Sequence, residues 1–374
     1  MKDILRYFLT EDFFVIFTVV IVIVSYLKKW HVINFYLFAV LVISLVLFSF
    51  RASELSKNVT FSLVSRESAL ISNNLLLMVS TIVVFIGTLW PLLIEVLIGE
   101  KISVGAPFFN KAFTPFMVLL AMILPLGAVL PWRKSFNYNY FKVLLPIFVL
   151  SLFVGIVVFE MQQNNNLIAP IGIILSIWVI FGAWSEFFVK NKIFSSNYNL
   201  VLYRVYHMRS SDWGKIFAHS GFGIIIFGIA SITAWEIEDI REVEVGKTFS
   251  VGTYKFTLND VVNKNGPNYV STMGILNVSD QNDNYITTLL PEKRFFPTQS
   301  ITTTEAAIDN GITRDIYIVL GAKQNQSKWV IRTYIKPFVN WIWIGAFVLS
   351  LGGILSIFDK KVRIGIASRK EQTV

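Results

Sequence analysis

The feature that most constrains this chain is a series of apolar runs, each long enough to cross a lipid bilayer as a helix. A transmembrane helix needs about 20 predominantly apolar residues. Only 15% of the 374 residues are charged, against about 25% in ordinary soluble proteins. The sequence therefore predicts an α-helical polytopic membrane protein with about eight transmembrane helices. The predicted spans lie near residues 12–27, 32–50, 70–98, 114–132, 143–160, 167–189, 215–235 and 339–358.

The lysines and arginines predict the orientation of these spans, because such residues favour the cytoplasmic side in short loops. The alternation of basic and less basic loops predicts that both termini lie on the cytoplasmic side of the membrane. It also predicts that residues 236–338 lie on the outer side. Lys28 and Lys29 are exceptions to the pattern, and the span before them is short. The basic segments are 51–68, 133–142, 190–214 and the tail at 359–374, and they alternate with 99–113 and the nearly uncharged turn at 161–166.

The sequence therefore divides into three parts. Residues 1–235 form a transmembrane helical domain, residues 236–338 an external domain, and residues 339–374 a final span with a basic tail. The net charge of +9 is explained by basic cytoplasmic loops, which argues against a nucleic-acid-binding surface. The 374 residues contain no cysteine, so they supply no disulfide, zinc–thiolate site or iron–sulfur cluster.

The external domain alternates apolar and polar residues, which is typical of half-buried strands. Strands are predicted at 242–246, 249–252, 254–258, 269–278, 285–290, 314–320 and 328–334, with turns at 262–267 and 279–284. Thr303-Thr-Glu305 before Ala306-Ala-Ile308 resembles the start of a helix, with a capping threonine and an acidic first turn. We expect a small antiparallel sandwich or barrel. Within the third span, Pro91 predicts a break, with 92–98 lying along the membrane surface.

One histidine stands inside an apolar span. His219 is one of three histidines in the chain, and an ionisable residue within a transmembrane helix is by default a functional candidate. Imidazole is a common metal ligand and binds haem iron axially. Gly221, Gly223 and Gly228 follow on the same helix, so a flat ligand or another helix could approach closely. From these residues alone, a ligand role and a helix-bridging role both remain open.

Several further strings occur in a specific order. They are Ser65-Arg-Glu-Ser68, Gly87-Thr-Leu-Trp-Pro91, Gly99-Glu-Lys-Ile-Ser-Val-Gly105-Ala-Pro107-Phe-Phe-Asn110, Trp213-Gly-Lys-Ile-Phe-Ala-His219-Ser-Gly221, Leu290-Pro-Glu-Lys-Arg294, Thr303-Thr-Glu-Ala-Ala-Ile308 and Trp329-Val-Ile-Arg-Thr-Tyr-Ile-Lys-Pro337, leading into Trp341-Ile-Trp343. This order resembles the carboxy-terminal half of the CcmF/NrfE family of cytochrome c-type biogenesis proteins, over residues 35–360.

The resemblance implies the membrane subunit of a cytochrome c haem lyase. In that family, haem is a substrate that is joined by thioether bonds to an apocytochrome Cys-x-x-Cys-His motif outside the membrane. A haem chaperone delivers it, and thiol-reducing subunits present the apocytochrome c. The family also holds a structural haem b between two transmembrane histidines, the second of which matches His219. The implied location is the bacterial inner membrane with the large domain periplasmic, or alternatively the mitochondrial inner membrane.

One family feature has no counterpart in the sequence. Full-length members carry an upstream tryptophan-rich external segment flanked by histidines, whereas the ten tryptophans here are dispersed. The transmembrane histidine that would oppose His219 has no counterpart either. We therefore expect a tryptophan-rich amino-terminal half on a separate chain, and a chain that is inactive alone.

The remaining candidates rest on weaker patterns. His31 matches the place of an external haem-ligating histidine only loosely, and an interfacial Trp-His anchor is the alternative. Lys293 and Arg294 could bind haem propionates or the apocytochrome, or form a solvated turn. His207 lies in a basic inner loop and is expected to be a surface residue.

Two other functions remain open. One is a non-catalytic membrane scaffold for cytochrome c maturation partners. The other is a transporter, although these usually show paired repeats around a midplane site, and the sequence has no internal repeat.

Overall fold

The computed structural model describes residues 64–130, 141–162, 166–191, 197–324 and 328–359, with residue 193 and a few isolated positions before 64. The predicted span at 12–27, most of the span at 32–50, His31 and the basic tail lie outside the described residues. All geometry below concerns residues from 64 onward.

The described residues form helices before and after one β domain. The helices are α1 (Arg66–Ile98), α2 (Ala106–Ala112), α3 (Thr114–Val129), α4 (Phe141–Met161), α5 (Ile168–Asn191), α6 (Tyr198–Tyr206), α7 (Ser210–Trp235) and, after the β domain, α8 (Asn340–Ile357). Five of these are long and apolar enough to cross a membrane: α1, α4, α5, α7 and α8. The α2–α3 pair, bent by 42°, adds a sixth if it forms one span.

The first described helix is longer than the bilayer requires. Its 33 residues correspond to about 50 Å at 1.5 Å per residue, against a hydrocarbon core of about 30 Å. The helix continues through Pro91, so the predicted break is wrong. Proline is tolerated in transmembrane helices where side chains and neighbouring helices compensate for the lost hydrogen bond. The helix ends at Gly99, whose positive φ of 80° suits a left-handed C-terminal cap.

In the described part of the chain, ten strands follow α7 and build two antiparallel sheets. They are β1 (Ile237–Glu244), β2 (Thr248–Val251), β3 (Tyr254–Asn265), β4 (Val270–Ser279), β5 (Tyr285–Leu289), β6 (Glu292–Phe296), β7 (Ile301–Glu305), β8 (Ala307–Asp309), β9 (Arg314–Lys323) and β10 (Lys328–Pro337). One sheet has the order β1-β10-β9-β8, and the other β2-β3-β4-β6-β7 with β5 also paired to β4. The predicted class, a helical membrane protein with a mostly β domain, is confirmed.

The alternating apolar residues of these strands form the core of the sandwich. Phe256, Leu258, Leu276, Ile316 and Ile331 are fully buried and belong to one hydrophobic cluster. From Ile316 on β9 and from Ile331 on β10, the buried residues recur at every second position, as expected for strands with one face on a core.

The helix predicted at Thr303-Thr-Glu305 is wrong. This segment forms β7, paired with β6, and Ala307–Asp309 forms β8. Ile301, Thr302, Thr303 and Thr304 are all β-branched, and such residues favour strands because they lose side-chain freedom in a helix. That preference outweighs the capping pattern.

The β domain is joined to the bundle by two adjacent connections. Helix α7 leads into β1, and β10 leads into α8, while β1 and β10 are themselves paired from Ile237↔Ile335 onward. The side-chain amide of Asn340 donates to Gly311 O and to Asp315 Oδ1, at 2.8 and 2.9 Å. Trp341 Nε1 donates to Ile312 O at 3.0 Å. These bonds fix the first turn of α8 against the loop before β9.

Candidate functional site

The apolar helix α7 carries two chemically active side chains on one face. Lys215 and His219 are four residues apart, which places them one above the other on an α-helix. His219 is half-buried, and its Nδ1 is buried without a hydrogen-bond partner among the described residues. A buried polar atom without a partner costs free energy, so a histidine in this state calls for an explanation.

His219 faces a cavity of about 170 Å³ between α1, α3 and α7. The lining residues are Arg66, Ala69, Leu70 and Asn73 of α1, Ile123, Leu124, Gly127 and Ala128 of α3, and Lys215 and His219 of α7. Small residues let α1 and α3 pack closely beside the cavity: a Cβ on Gly127 would lie only 3.2 Å from the Cβ of Ala69. The cavity is therefore apolar on two sides and holds two cations, an amide and an imidazole.

Both cations lie near helix starts. Arg66 is in the first turn of α1, just after the N-cap Ser65, whose Oγ accepts from Ser68 N at 3.3 Å. Lys215 is in the second turn of α7 and forms a half-buried ion pair with Glu186 of α5. The ammonium of Lys215 thus lies between Glu186 and the cavity that holds His219.

Gly221 and Gly223 face neighbouring helices. A Cβ on Gly221 would lie 2.4 Å from the backbone nitrogen of Leu349 and 2.6 Å from the carbonyl oxygen of Gly345, both in α8. A Cβ on Gly223 would lie 2.6 Å from a side-chain carbon of Ile180 in α5. Backbone and side chains of the bundle fill the space beside both glycines, so a flat ligand has no access there. Their role in the described structure is close helix packing.

Lys293 and Arg294 lie on strand β6 rather than in a turn. Arg294 donates to Glu292 Oε2 at 2.8 Å and stacks over the ring of Tyr269 at 4.7 Å. The hydrogen bond from Arg294 holds the pKa of the Glu292 carboxyl below its usual range. Arg294 therefore already has partners within the β domain.

The second described histidine is a surface residue, as predicted. His207 follows the last residue of α6, is exposed, and its Nδ1 lies 2.7 Å from Tyr203 O. Its ring packs on that of Tyr203, with centroids 4.1 Å apart. No group of three or more histidine, cysteine or acidic side chains with metal-site geometry occurs among the described residues.

Sequence reasoning found His219 but not the residues around it. Lys215 and Arg66 lie near span ends, where cations ordinarily mark the membrane interface. The available signal was the four-residue spacing from Lys215 to His219. No comparable signal joins Arg66 to them, because only the tertiary fold places the start of α1 at the cavity that Lys215 and His219 also line.

Comparison with known proteins supports one family. Residues 234–337 match the family model of the CcmF C-terminal β-sandwich. The cytochrome c-type biogenesis protein ccl1 of Rhodobacter capsulatus is 42% identical over 327 residues, covering 87% of this chain and 49% of that protein. The cytochrome c-type biogenesis protein CcmF of Escherichia coli is 34% identical, covering 89% of this chain and 50% of that protein.

The fold agrees with these similarities. A solved structure described as cytochrome c haem lyase CcmF superposes with a TM-score of 0.60 at 18% identity, over 79% of this chain and 46% of that one. The chain spans about half the length of the relatives it matches. The matched β-sandwich and the similarity along 87–89% of this chain show that the chain carries the CcmF C-terminal β-sandwich and is similar over most of its length to about half of a CcmF-type cytochrome c-type biogenesis protein.

Proposed function

We propose that the chain forms the carboxy-terminal part of a cytochrome c haem lyase. In this role it helps attach haem, as substrate, to the Cys-x-x-Cys-His motif of an apocytochrome c on the outer side of the membrane. The observation that carries the proposal is His219. This residue belongs to an apolar helix long enough to cross the membrane, and its Nδ1, without a hydrogen-bond partner among the described residues, lies beside a cavity between helices. The relatives whose alignments cover 87–89% of this chain are named cytochrome c-type biogenesis proteins.

The residues around His219 fit a resident haem b. The imidazole has a buried nitrogen without a protein partner, which is what a metal ligand requires before the metal binds. The cavity of about 170 Å³ is smaller than the roughly 300–1,000 Å³ of typical ligand pockets, so a haem would extend beyond the described walls. The remaining wall and a second ligand would then come from the part of the lyase that the relatives carry outside the matched region.

A bound haem would supply a redox-active iron within the membrane. The work of this chain is to hold it. Helix α7 is packed against both α5 and α8, and Ser176 Oγ donates to Gly223 O at 2.9 Å, which restrains the helix one turn beyond His219. A rigid helix keeps the imidazole in one orientation, which a ligand needs for pre-organised binding.

The β domain is proposed to lie on the periplasmic side of the bacterial inner membrane. Its place after α7, where the basic segment 190–214 precedes the span, supports this orientation. There it would meet the proposed partners: the tryptophan-rich half of the lyase, the haem chaperone, the thiol-reducing subunits and the apocytochrome c. Lys293 and the exposed face of β6 and β7 are available for contact with them.

The test is the absorbance spectrum of the purified chain co-expressed with a tryptophan-rich half of the family. We expect a low-spin haem b spectrum that His219→Ala abolishes. His207→Ala is the matched control, since this exposed histidine lies outside the cavity, and it should leave the spectrum unchanged. A His219→Ala protein with unchanged haem content would refute the ligand role and favour a non-catalytic scaffold.

A further inference from the structure

One loop of the β domain exposes an isoleucine next to the start of α8. Residues 310–313 join β8 to β9, and Ile312 among them is 72% exposed, the largest fraction for a large apolar side chain in the described β domain. A single exposed isoleucine on a soluble surface needs no explanation. Ile312 is a different case, because the loop that carries it is bound to a helix that crosses the membrane.

The depth of α8 in the membrane is narrowly limited. Its 18 residues extend about 27 Å at 1.5 Å per residue, close to the hydrocarbon thickness of about 30 Å. The sequence carries no charge between Lys336 and Asp359, and Lys336 is paired with Glu236 at 3.2 Å. Because α8 has no length to spare, its first turn lies at the membrane interface. Trp343, which is 73% exposed, belongs to a residue type that is enriched at this level.

The loop is held to the start of α8 through its backbone. Three consecutive carbonyl oxygens accept hydrogen bonds from that segment: Gly311 O from Asn340 Nδ2 at 2.8 Å, Ile312 O from Trp341 Nε1 at 3.0 Å, and Thr313 O from Phe338 N at 2.9 Å. The amide of Gly311 also donates to Asp315 Oδ1 at 2.9 Å. Unpaired backbone groups oppose entry into an apolar medium, so these bonds prepare the loop for contact with lipid.

The charges that flank the loop are paired as well. Arg314 forms an ion pair with Asp309 and donates to the hydroxyl of Tyr254 at 2.9 Å. The four residues between Asp309 and Arg314 are uncharged. The loop therefore presents an apolar side chain among uncharged neighbours, at the level where α8 enters the bilayer.

We propose that loop 310–313 inserts Ile312 into the interfacial layer of the bilayer and anchors the β domain to the lipid surface. The partner is the boundary between headgroups and acyl chains, where the apolar surface of the isoleucine leaves water. This contact is an attachment of the β domain in addition to its covalent connections through α7 and α8. It goes beyond the proposed function, because it depends neither on haem nor on lyase activity.

The experiment places a reporter beside Ile312 without replacing it. The chain contains no cysteine, so Thr313→Cys, at an exposed position of the loop, can carry a single fluorescent label. The full chain is reconstituted in nanodiscs of phosphatidylethanolamine and phosphatidylglycerol, with a headgroup-linked nitroxide lipid or aqueous iodide as the quencher. Val245→Cys is the reference, because Val245 is exposed and follows the eight residues of β1, about 26 Å along the strand from α7.

We expect the nitroxide lipid to quench the label at 313 while iodide has little effect, and the reverse at 245. Ile312→Asp in the Thr313→Cys chain should make the label as accessible to iodide as the label at 245, because a carboxylate is costly at an apolar boundary. Ile312→Leu is the matched control and should leave the quenching at 313 unchanged. Since Ile312 is exposed, both variants should keep the fold, which circular dichroism checks.

Three outcomes would overturn the proposal. Equal quenching by iodide at 313 and 245 would show that the loop lies in water. Unchanged lipid quenching in Ile312→Asp would show that the isoleucine does not hold the loop in the interface. Protection from iodide without quenching by the nitroxide lipid would assign the loop to a contact with another protein surface.

Discussion

Two buried side-chain atoms of the described residues, both without a hydrogen-bond partner, lie in different surroundings. His219 Nδ1 lies beside a cavity that holds other polar groups, whereas Thr333 Oγ1 lies in the closed core of the sandwich at 0% exposure. An unsatisfied buried group costs about 1–3 kcal/mol. At His219 a ligand can recover that free energy, but at Thr333 nothing in the described core does.

Replacing Thr333 by valine should therefore stabilise the protein. The change removes the unpaired hydroxyl and keeps the branched shape between Ile331 and Ile335, so we expect a gain of about 1 kcal/mol. Thermal unfolding of the purified chain in detergent, followed by tryptophan fluorescence, measures it. Thr288→Val is the control of opposite sign, because Thr288 Oγ1 donates to Asn277 Oδ1 at 2.7 Å. Thr333→Val with a lowered midpoint would contradict this account.

At the scale of single residues, the sequence identifies His219 as a candidate site residue but does not identify the residues that surround it in the fold. His219 is conspicuous because an imidazole is rare in an apolar span. Arg66 and Lys215 are ordinary in the sequence, since cations are common at span ends, and only the tertiary fold shows that both line the cavity beside His219. The same limit applies to Gly221 and Gly223, whose role depends on which helix lies opposite.

At the scale of elements, α7 and α8 pack through small residues at heptad spacing. Gly214, Gly221 and Gly228 of α7 lie seven residues apart, as do Gly345 and Gly352 of α8. A Cβ on Gly352 would lie 2.5 Å from the carbonyl oxygen of Gly214, and one on Gly345 would lie 2.7 Å from that of Gly221. In a membrane such close backbone approach supplies much of the helix–helix attraction.

Neighbouring glycines of α8 offer a matched test of this seam. Gly352→Leu should separate α7 from α8 and destabilise the protein by about 1–3 kcal/mol or more, the usual cost of overpacking. Gly353→Leu should be tolerated, because a Cβ there meets nothing within 4 Å. The midpoint of thermal unfolding in detergent distinguishes the two. Equal effects would show that the contact between α7 and α8 contributes little.

The elements themselves were largely predictable, and the errors have physical causes. Apolar length located α1, α4, α5, α7 and α8, because a helix needs about 20 apolar residues to cross the bilayer. Pro91 misled because proline breaks helices in water more reliably than in a membrane. Thr303 misled because a capping threonine and a strand threonine look alike until the four consecutive β-branched residues are weighed.

At the scale of the molecule, the β domain continues the α7–α8 pair. The two packed helices lead into β1 and β10, which are neighbouring strands of one sheet. Lys336 forms an ion pair with Glu236 at 3.2 Å, and Phe227 contacts the ring of Trp341 at 5.2 Å, both at this junction. The β domain is thus joined directly to the end of the helix that carries His219.

The proposed orientation can be tested with single cysteines, since the chain has none of its own. Asn282→Cys lies in an exposed turn of the β domain, and Tyr206→Cys lies on the exposed end of α6. In cells whose inner membrane is intact, a membrane-impermeant maleimide should label the cysteine at 282 only. The cysteine at 206 should become reactive after the membrane is opened. Labelling of 206 alone in intact cells would invert the topology.

The last prediction concerns haem attachment by a polypeptide of these 374 residues. Thioether formation requires a haem held with its vinyl groups toward two reduced thiols, in an orientation that the protein fixes. The described residues offer the proposed ligand His219 and a small cavity within the bundle, whereas the ten tryptophans of the sequence are dispersed. We therefore expect that this polypeptide alone attaches no haem covalently to an apocytochrome c in a strain that lacks its own lyase. Covalent attachment is expected when the tryptophan-rich half and the thiol-presenting subunits are co-expressed.

Haem staining of a Cys-x-x-Cys-His substrate after denaturing electrophoresis measures the product, and a Ser-x-x-Ser-His substrate is the control for non-covalent haem. Covalent haem with this chain as the sole lyase component would show that its own residues suffice to position the substrate.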